Sequence, residues 1–273
     1  MPELPEVESV LRTLQECPPV LPGRMINSVI VLSDTVISGC PVANFTGELE
    51  GMLFSSIARH GKYLIFRMIR PGVGCSGSFL VFHLRMTGRL FLVPREHSIE
   101  RHTRLVLILD NDLALRFDDP RKFGRVWLAA NPADVLSKLG PDALTVTPEI
   151  FRSRISALQR KIKPLLLDQS FLAGIGNIYA DEILFRAGIH PLTSSRDLTP
   201  FDIERLCNAI RDILSDAVES NGANIDGVFG KGRFVVSVYG REGLSCSRCG
   251  STIIKIRVGQ RGTHVCQVCQ PFL

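Results

Sequence analysis

The sequence predicts an α+β protein with a β-rich N-terminal part, a helical middle part and a C-terminal zinc ribbon. Up to residue 131, short runs rich in β-branched and aromatic residues are separated by turn residues. From Pro132 onward, apolar residues recur at helical spacing, and two Cys-x2-Cys pairs lie near the end of the chain. We therefore expect three domains, covering residues 1–131, 132–230 and 231–273.

The first predicted element is a helix. Pro5 suits a first helical turn, and Glu6 and Glu8 lie near the positive end of the helix dipole. The apolar positions have the spacing of one helix face: Val7, Val10, Leu11 and Leu14.

Eight short strands follow, and Asp110 to Asp112 supply a hairpin turn between two of them. Together they predict an all-β sandwich or barrel. The strands are Ser28 to Leu32, Leu53 to Ala58, Tyr63 to Met68, Phe79 to Leu84, Leu90 to Val93, Leu105 to Leu109, Leu113 to Phe117 and Arg125 to Ala129.

The middle part contains five segments with helical character. A glycine-rich loop from Asn221 to Arg233 follows them. The helical segments are Ala133 to Leu139, Pro148 to Ser156, Pro164 to Leu167, Ile178 to Ala187 and Pro200 to Ser220.

The C-terminal cysteines have the spacing of a zinc site. Cys246, Cys249, Cys266 and Cys269 form two Cys-x2-Cys turns with sixteen residues between them. Four thiolates fill a tetrahedral zinc ion, so we expect one structural Zn2+ without a catalytic role. Two strands, Thr252 to Val258 and Thr263 to Val265, would form a hairpin between the turns.

The tip of this hairpin would carry Arg261. With Lys255, Arg257 and His264 nearby, Arg261 could bind phosphates through charge-assisted hydrogen bonds. A solvated basic face is the alternative.

The N-terminus also offers chemistry. Removal of Met1 would leave Pro2 with a free secondary amine, which can attack a sugar carbon and form an iminium. Glu3 follows as a proton donor or acceptor. The alternative, that these residues only begin a helix, is compatible with this one.

Composition sets broad limits on location and partners. The net charge is +5 over 273 residues, a mild basic excess that suits a polyanionic partner without requiring one. No apolar run approaches the roughly 18 residues of a membrane span, and the N-terminus lacks the features of a secretory signal. We expect a cytoplasmic protein with no membrane partner.

Three further parts of the sequence indicate a function only when they are considered together. Gly174 to Asn177 would expose free helix amides that clamp a phosphate, although tight helix packing explains the glycines equally well. Lys62 is by default a surface charge. Met86 and Phe123 would by default be core residues. Phe123, however, is close to Arg121 and Lys122, so we expect it to be exposed at the surface, where it could act as a wedge that unstacks a base pair.

On these residues, the chain resembles the formamidopyrimidine-DNA glycosylase and endonuclease VIII family of DNA repair enzymes, more closely its formamidopyrimidine branch. The resemblance covers nearly the whole chain and implies a β-sandwich, a helix-two-turn-helix domain and a zinc finger. It rests on six ordered motifs: Pro2 to Glu8, Gly61 to Leu64, His83 to Gly88, Asp119 to Gly124, Gly176 to Ala180, and the cysteine pairs with Gln260 and Arg261.

The resemblance implies a role for each matching residue. Pro2 would attack C1′ of a damaged nucleotide, and Glu3 would protonate the sugar ring oxygen. Lys62 would contact a phosphate and assist β-elimination, and Arg261 would hold the lesion phosphates and assist δ-elimination. The void-filling residues would be Met86, Arg121 and Phe123, with Arg121 facing an orphaned cytosine, and the DNA-backbone contacts would be His102, Lys163 and Asn177.

By the same resemblance, the substrate is double-stranded DNA with a damaged base, bound by a monomer in a bacterial-type, nucleoid-associated setting. The family's loop over 8-oxoguanine lies between the helix that ends near Ser220 and a strand at Val238 to Gly240, and it is several residues short in this chain. This predicts that formamidopyrimidines or further oxidised purines are better substrates than 8-oxoguanine. Two alternatives remain: a non-catalytic DNA-binding protein, and an endonuclease VIII activity on oxidised pyrimidines.

Overall fold

A computed structural model of the chain describes residues 2–72, 77–225 and 232–272. The described residues fall into two compact units. The first contains Pro2, residues 6–138 and Ile225, and the second contains residues 3–5, 139–224 and 232–272. The predicted boundaries of three domains, at residues 131 and 230, stay a prediction.

The first unit is built from two antiparallel-rich sheets. One sheet has the order β1-β7-β8-β6, and the other has the order β2-β9-β5-β4-β3 with β2 parallel to β9. The strands are β1 (Ile26–Val31), β2 (Ile37–Ser38), β3 (Leu53–His60), β4 (Tyr63–Ile69), β5 (Gly77–His83), β6 (Arg89–Pro94), β7 (Thr103–Leu109), β8 (Leu113–Asp118) and β9 (Arg125–Ala129).

A single apolar core joins these sheets into the predicted β-sandwich. Phe82 from β5 and Phe117 from β8 meet edge to face, with ring centroids 5.6 Å apart. The first helix, α1 (Leu4–Glu16), places Val7, Val10 and Leu14 in the same core. The helical spacing of these apolar residues in the sequence therefore indicated the buried face of the helix correctly.

One α-helix and one strand of the first unit were not predicted. The helix α2 (Val42–Leu49) has eight residues and buries only Phe45 and Leu49, so it offers few apolar positions from which to recognise a helix. The strand β2 has two residues, too few for an alternating pattern. The turn at Asn111 and Asp112 is confirmed, since both have positive φ between β7 and β8.

The second unit is helical and packs around α6 (Asn177–Ala187), of which nine residues are buried. Two helices of this unit begin at a threonine cap: Thr147 caps α4 (Pro148–Ser156), and Thr199 forms a capping box on α7 (Pro200–Glu219). The shorter helices are α3 (Ala133–Leu136), which belongs to the first unit, and α5 (Ile162–Leu167). The helices α5 and α6 are joined by a segment with turns over residues 168–176.

The zinc-ribbon hairpin also belongs to the second unit and consists of β10 (Ile254–Val258) and β11 (Arg261–Val265). Arg261 and Gly262 are the first residues of β11 and not part of the tip as predicted, because the turn is complete with Gly259 and Gln260. None of the described helices has the length and apolar character that crossing a bilayer requires.

The predicted strand at Val238 to Gly240 is wrong. The amides of Ser237, Val238 and Tyr239 donate to the Glu182 carboxylate instead of to a neighbouring strand. Residues 226–231 lie outside the described residues, and with them the centre of the loop predicted to be short.

Candidate functional site

The carboxylate of Glu3 lies at the N-terminus of α6. It accepts hydrogen bonds from the amides of Gly176 (2.8 Å), Ile178 (2.9 Å) and Tyr179 (3.4 Å), and Glu3 is 1% exposed. Three N–H donors and the positive end of the helix dipole favour the ionised carboxylate. The residue directly after Pro2 is therefore fixed by the helical unit.

Two glycines make room for this N-terminal segment. A Cβ at Gly176 would lie 2.2 Å from Cδ of Glu3, and a Cβ at Gly174 would lie 2.4 Å from Cδ1 of Leu4. Gly174 also has a φ of +118°. The predicted clamp of free amides for a phosphate is therefore wrong, because the chain's own Glu3 occupies the amides of Gly176, Ile178 and Tyr179.

Asn177, predicted to contact the DNA backbone, is half-buried and turned toward the zinc-ribbon hairpin. Its Nδ2 donates to the carbonyl oxygen of Gly262 at 3.1 Å. Its buried Oδ1 has no hydrogen-bond partner among the described residues. The side chain thus connects the start of α6 to the strand that carries Arg261.

Lys163 is completely buried and does not present its charge to solvent. Its Nζ donates to Oδ1 of Asp181 (2.6 Å), to Oγ1 of Thr263 (2.7 Å) and to the carbonyl oxygen of Gly262 (3.1 Å). Burial lowers the pKa of Lys163, and the carboxylate of Asp181 opposes that shift. The predicted contact of Lys163 with the DNA backbone is not supported here, because all three N–H donors are used within the protein.

Asp181 completes this buried network. Its Oδ2 accepts from the backbone amide of His264 at 2.9 Å and lies 3.2 Å from Nδ1 of the same residue. His264 is 6% exposed, so the expectation that it helps to grip phosphates is wrong. Residues on α5 and α6 therefore hold β11 in place.

Sequence reasoning missed Asp181 and its neighbour Glu182. The signal was two adjacent acids on a helix whose other residues are almost all apolar. Burial raises the pKa of Glu182, and the three amide donors from Ser237 to Tyr239 oppose that shift. Such acids are buried only when they have partners.

The four predicted zinc ligands come together. The Sγ atoms of Cys246, Cys249, Cys266 and Cys269 all lie within 4.8 Å of one another, which fits a tetrahedral Zn2+. Hydrogen bonds from Ser251 lower the pKa of the Cys249 thiol to about 6, which favours the thiolate that zinc binds. A zinc ion bound by all four thiolates has no open position, so its role is structural.

The site anchors the hairpin to the C-terminal half of α6. Cys246 and Cys266 pack with Phe185 and Ile253 in one small core. Arg248, which lies within the first Cys-x2-Cys turn, donates to the carbonyl oxygen of Phe185 at 2.9 Å. Arg261 is exposed on β11, and its guanidinium makes no hydrogen bond or ion pair with the part of the chain that the structure describes. It is thus a positive charge on a firmly held strand.

In the first unit, Lys62 stands in the two-residue turn between β3 and β4 and is nearly buried. His83 is close to it on β5, and its Nδ1 accepts the amide of Arg85 at 3.0 Å. Burial, with the positive charges of Arg85 and Lys62, lowers the pKa of His83 to about 3. The default expectation that Lys62 is a solvated charge is therefore wrong.

The predicted void-filling residues of the first unit are displayed. Met86 is 37% exposed and Phe123 is 45% exposed, although both are large and apolar. The guanidinium of Arg121 lies over the Phe123 ring, 4.7 Å from its centroid. His102 is also exposed. These residues are accessible as the prediction requires, while their roles on DNA stay a prediction.

Comparison with known proteins supplies the family. A model described as the formamidopyrimidine-DNA glycosylase N-terminal domain matches residues 1–126. The H2TH domain model of the same glycosylase matches residues 139–227, and a zinc finger found in FPG and IleRS matches residues 243–271. The formamidopyrimidine-DNA glycosylase of Pelotomaculum thermopropionicum is 41% identical over 284 residues, which cover 99% of each protein.

The chain belongs to the formamidopyrimidine-DNA glycosylase family. The family member of Rippkaea orientalis is 38% identical over 99% of this chain and 100% of its own length. Among solved structures, the Lactococcus lactis protein Fpg (MutM) in complex with DNA containing N7-benzyl-Fapy-dG has a TM-score of 0.89 at 36% identity. It covers 99% of this chain and 100% of its own.

A second similar structure is MutM in complex with DNA containing carbocyclic 8-oxo-G, with a TM-score of 0.89, 35% identity and the same coverage. The resemblance inferred from six motifs is thus confirmed, as are the N-terminal sheets, the H2TH domain, the zinc finger and the metal it holds in this family.

Proposed function

We propose that this family member is a bifunctional DNA glycosylase and abasic-site lyase that excises oxidised purines from double-stranded DNA. Its substrates would be formamidopyrimidines and 8-oxoguanine, in line with the lesion-containing DNA of its structural relatives. It would act as a monomer with one structural zinc ion. The observation that carries the proposal is the placement of Glu3, directly after Pro2, at the N-terminus of α6.

The chemistry begins at the amine of Pro2. The nitrogen attacks C1′ of the damaged nucleotide, a C–N bond forms, and the glycosidic bond to the base breaks. Transfer of a proton to the sugar ring oxygen opens the ring and leaves an iminium between Pro2 and C1′. A secondary amine gives an iminium that is cationic without a further protonation, which is a physical reason for proline at this position.

Glu3 suits the proton transfer. The carboxylate accepts hydrogen bonds from backbone N–H groups, and in the proposed step it accepts a proton first and returns it to the ring oxygen afterwards. Fixing the carboxylate at three points also limits its motion, which keeps the distance to the reacting atoms constant.

The remaining proposed residues contact the phosphates and the base stack of the DNA duplex. Lys62 contacts a flanking phosphate and assists β-elimination, in which the C2′ proton and the 3′ phosphate leave. Arg261, held by the zinc hairpin, binds the lesion phosphates and assists δ-elimination, which releases the 5′ phosphate. Met86, Arg121 and Phe123 fill the space of the extruded base, and His102 and Asn177 contact the DNA backbone.

Lesion preference is a separate prediction. A shorter cover over the extruded base would weaken recognition of 8-oxoguanine while leaving the Pro2 chemistry intact. We expect faster excision of formamidopyrimidines or further oxidised purines than of 8-oxoguanine in matched duplexes opposite cytosine. An undiminished preference for 8-oxoguanine in single-turnover rates would contradict this.

Borohydride trapping tests the function as a whole. Protein whose mass shows a free Pro2 is incubated with duplexes containing 8-oxoguanine, a formamidopyrimidine or an oxidised pyrimidine. Borohydride reduces an iminium to a stable amine, so we expect a covalent protein–DNA adduct on the purine lesions. Peptide mapping should place it on Pro2.

The control is the same protein with Met1 retained, whose Pro2 nitrogen is an amide and therefore not nucleophilic. Binding to every duplex without any adduct would make this chain a non-catalytic DNA-binding protein. Adducts on the pyrimidine lesion alone would assign it the endonuclease VIII activity.

A further inference from the structure

One buried aspartate in the first unit contacts the three segments that carry Met86, His102 and the pair of Arg121 and Phe123. Asp119 is 0% exposed and follows the end of β8. Its Oδ1 accepts from the amide of Arg121 (3.2 Å) and from the hydroxyl of Thr87, and its Oδ2 accepts from the amide of Gly124 (2.7 Å). These donors are next to, or part of, the residues predicted to enter the DNA.

The backbone of Asp119 extends the same arrangement. Its amide donates to the carbonyl oxygen of His102 at 2.9 Å, and its own carbonyl accepts Nε of Arg104 at 2.8 Å. His102 directly precedes β7, and Arg104 is the second residue of that strand. Asp119 therefore joins three segments that are distant in sequence: the Met86 turn, the His102 turn and the Arg121 to Phe123 turn.

The Arg121 to Phe123 turn depends on this carboxylate for its shape. Lys122 has a φ of +56°, a conformation that an L residue adopts only when its surroundings enforce it. Hydrogen bonds to Asp119 on either side, at Arg121 and Gly124, enforce it. A Cβ at Gly124 would meet Phe117 at 2.4 Å, so the turn is also pressed against the sandwich core.

We propose that Asp119 is a positioning residue that holds the Met86 and Phe123 wedges in one arrangement before DNA binds. This inference rests on the proposed function and extends it to the step of base extrusion. Pushing a base out of the helix costs a few kcal/mol of unstacking. A wedge that is already ordered does not lose further conformational freedom when it inserts, so extrusion is faster.

The test compares two substrates, one that requires extrusion of a base and one that requires only the chemical step. Asp119→Asn keeps the size of the side chain but replaces one acceptor oxygen by an NH2 group, so either the Arg121 amide or the Gly124 amide loses its acceptor. We expect single-turnover excision from a lesion duplex to fall by about tenfold or more. β-Elimination at a preformed abasic site, where no base must be extruded, should stay within about twofold of the wild-type rate.

A fluorescent readout follows the wedge directly. 2-Aminopurine placed beside the lesion brightens when its stacking is disrupted, and Asp119→Asn should slow or reduce that rise. Asp112→Asn is the matched control, since it makes the same change in the exposed turn at the other end of β8. It should leave both rates and the fluorescence unchanged.

Two variants of Thr87 test the same inference if Asp119→Asn does not fold. Thr87→Val removes a single hydrogen bond to the carboxylate, and Thr87→Ser retains it. The valine variant should shift the ratio of excision to β-elimination in the same direction, and the serine variant should restore it.

An unchanged ratio in a folded Asp119→Asn protein, or in Thr87→Val where the first does not fold, overturns the inference. Failure of the wild-type protein to excise any lesion would overturn the proposed function instead, so the two failures are distinguishable.

Discussion

At the scale of single residues, the absence of one side chain decides where the proposed proton donor lies. Gly176 has an ordinary extended φ of −123°, so its backbone conformation does not require glycine. The requirement is spatial, because Glu3 fills the position of any Cβ. A glycine in the middle of a motif thus serves a carboxylate 173 residues earlier in the chain.

Gly176→Ala should therefore displace the Glu3 carboxylate. We expect excision to slow by about 100-fold or more, since a misplacement of about 1 Å suffices for such a loss. Lost amide partners should also lower the free energy of unfolding by about 1–3 kcal/mol. Single-turnover kinetics and urea unfolding measure the two effects.

Gly47→Ala is the matched control, because Gly47 lies in α2 with no atom within 4 Å of its missing Cβ. It should leave the excision rate unchanged and raise stability by about 0.5–1 kcal/mol. A Gly176→Ala protein that excises at the wild-type rate would show that excision does not require the Glu3 carboxylate to lie at the N-terminus of α6.

His83 makes stability depend on pH. Its pKa in the folded protein is about 3, against about 6.5 in an unfolded chain, so the unfolded state binds a proton first as the pH falls. The contribution of His83 is therefore fully present above pH 6.5 and is lost progressively toward pH 3. The slope is up to about 1.4 kcal/mol per pH unit.

His83→Asn keeps an acceptor for the Arg85 amide but cannot be protonated. Urea unfolding of both proteins between pH 7 and 4.5 should show a steeper loss of stability for the wild type. Parallel curves would mean that His83 is protonated equally in both states.

At the scale of elements, the sequence was most informative where patterns are local. Short runs rich in β-branched and aromatic residues, separated by turn residues, located eight of the nine strands of the first unit, and the cysteine spacing located the zinc site. It failed where a partner is distant in sequence: the helix amides predicted to bind phosphate instead bind Glu3, and Lys163 meets β11 from 100 residues away. No periodicity encodes which buried charge will find which partner.

The pair of Lys163 and Asp181 connects α5, α6 and β11 in the second unit. Lys163→Met would leave Asp181 as a buried charge without its cation, which costs about 3–5 kcal/mol of stability. Adding Asp181→Asn removes that charge while keeping an acceptor for the His264 amide. We expect the double variant to be more stable than Lys163→Met in urea unfolding at pH 7.

The competing role of Lys163 is a direct contact with DNA. In that case Lys163→Met would weaken DNA binding and lower its salt dependence without a large loss of stability. A stable Lys163→Met protein with weaker DNA binding would thus support the DNA contact that the sequence predicted for Lys163.

At the scale of the whole molecule, charge governs binding more than local shape does. The chain carries a net charge of only +5, so a polyanion must be held by a few well-placed cations. Arg261 is the best placed in the zinc ribbon, because a metal site and a buried ion pair both fix its strand. Each phosphate that such a cation neutralises releases counterions and adds to the salt dependence of binding.

Arg261→Ala should weaken binding to every DNA sequence alike and reduce the slope of log K against log salt by about one unit. Arg257→Ala is the matched control. In the register of the hairpin Arg257 pairs with Gly262, so its side chain lies on the opposite face from Arg261 and should leave the slope nearly unchanged. Fluorescence anisotropy from 50 to 300 mM salt gives both slopes. Equal slopes for the wild type and Arg261→Ala would show that Arg261 does not contact a phosphate. A lower slope for Arg257→Ala alone would show that the phosphate contact lies on the other face of the hairpin.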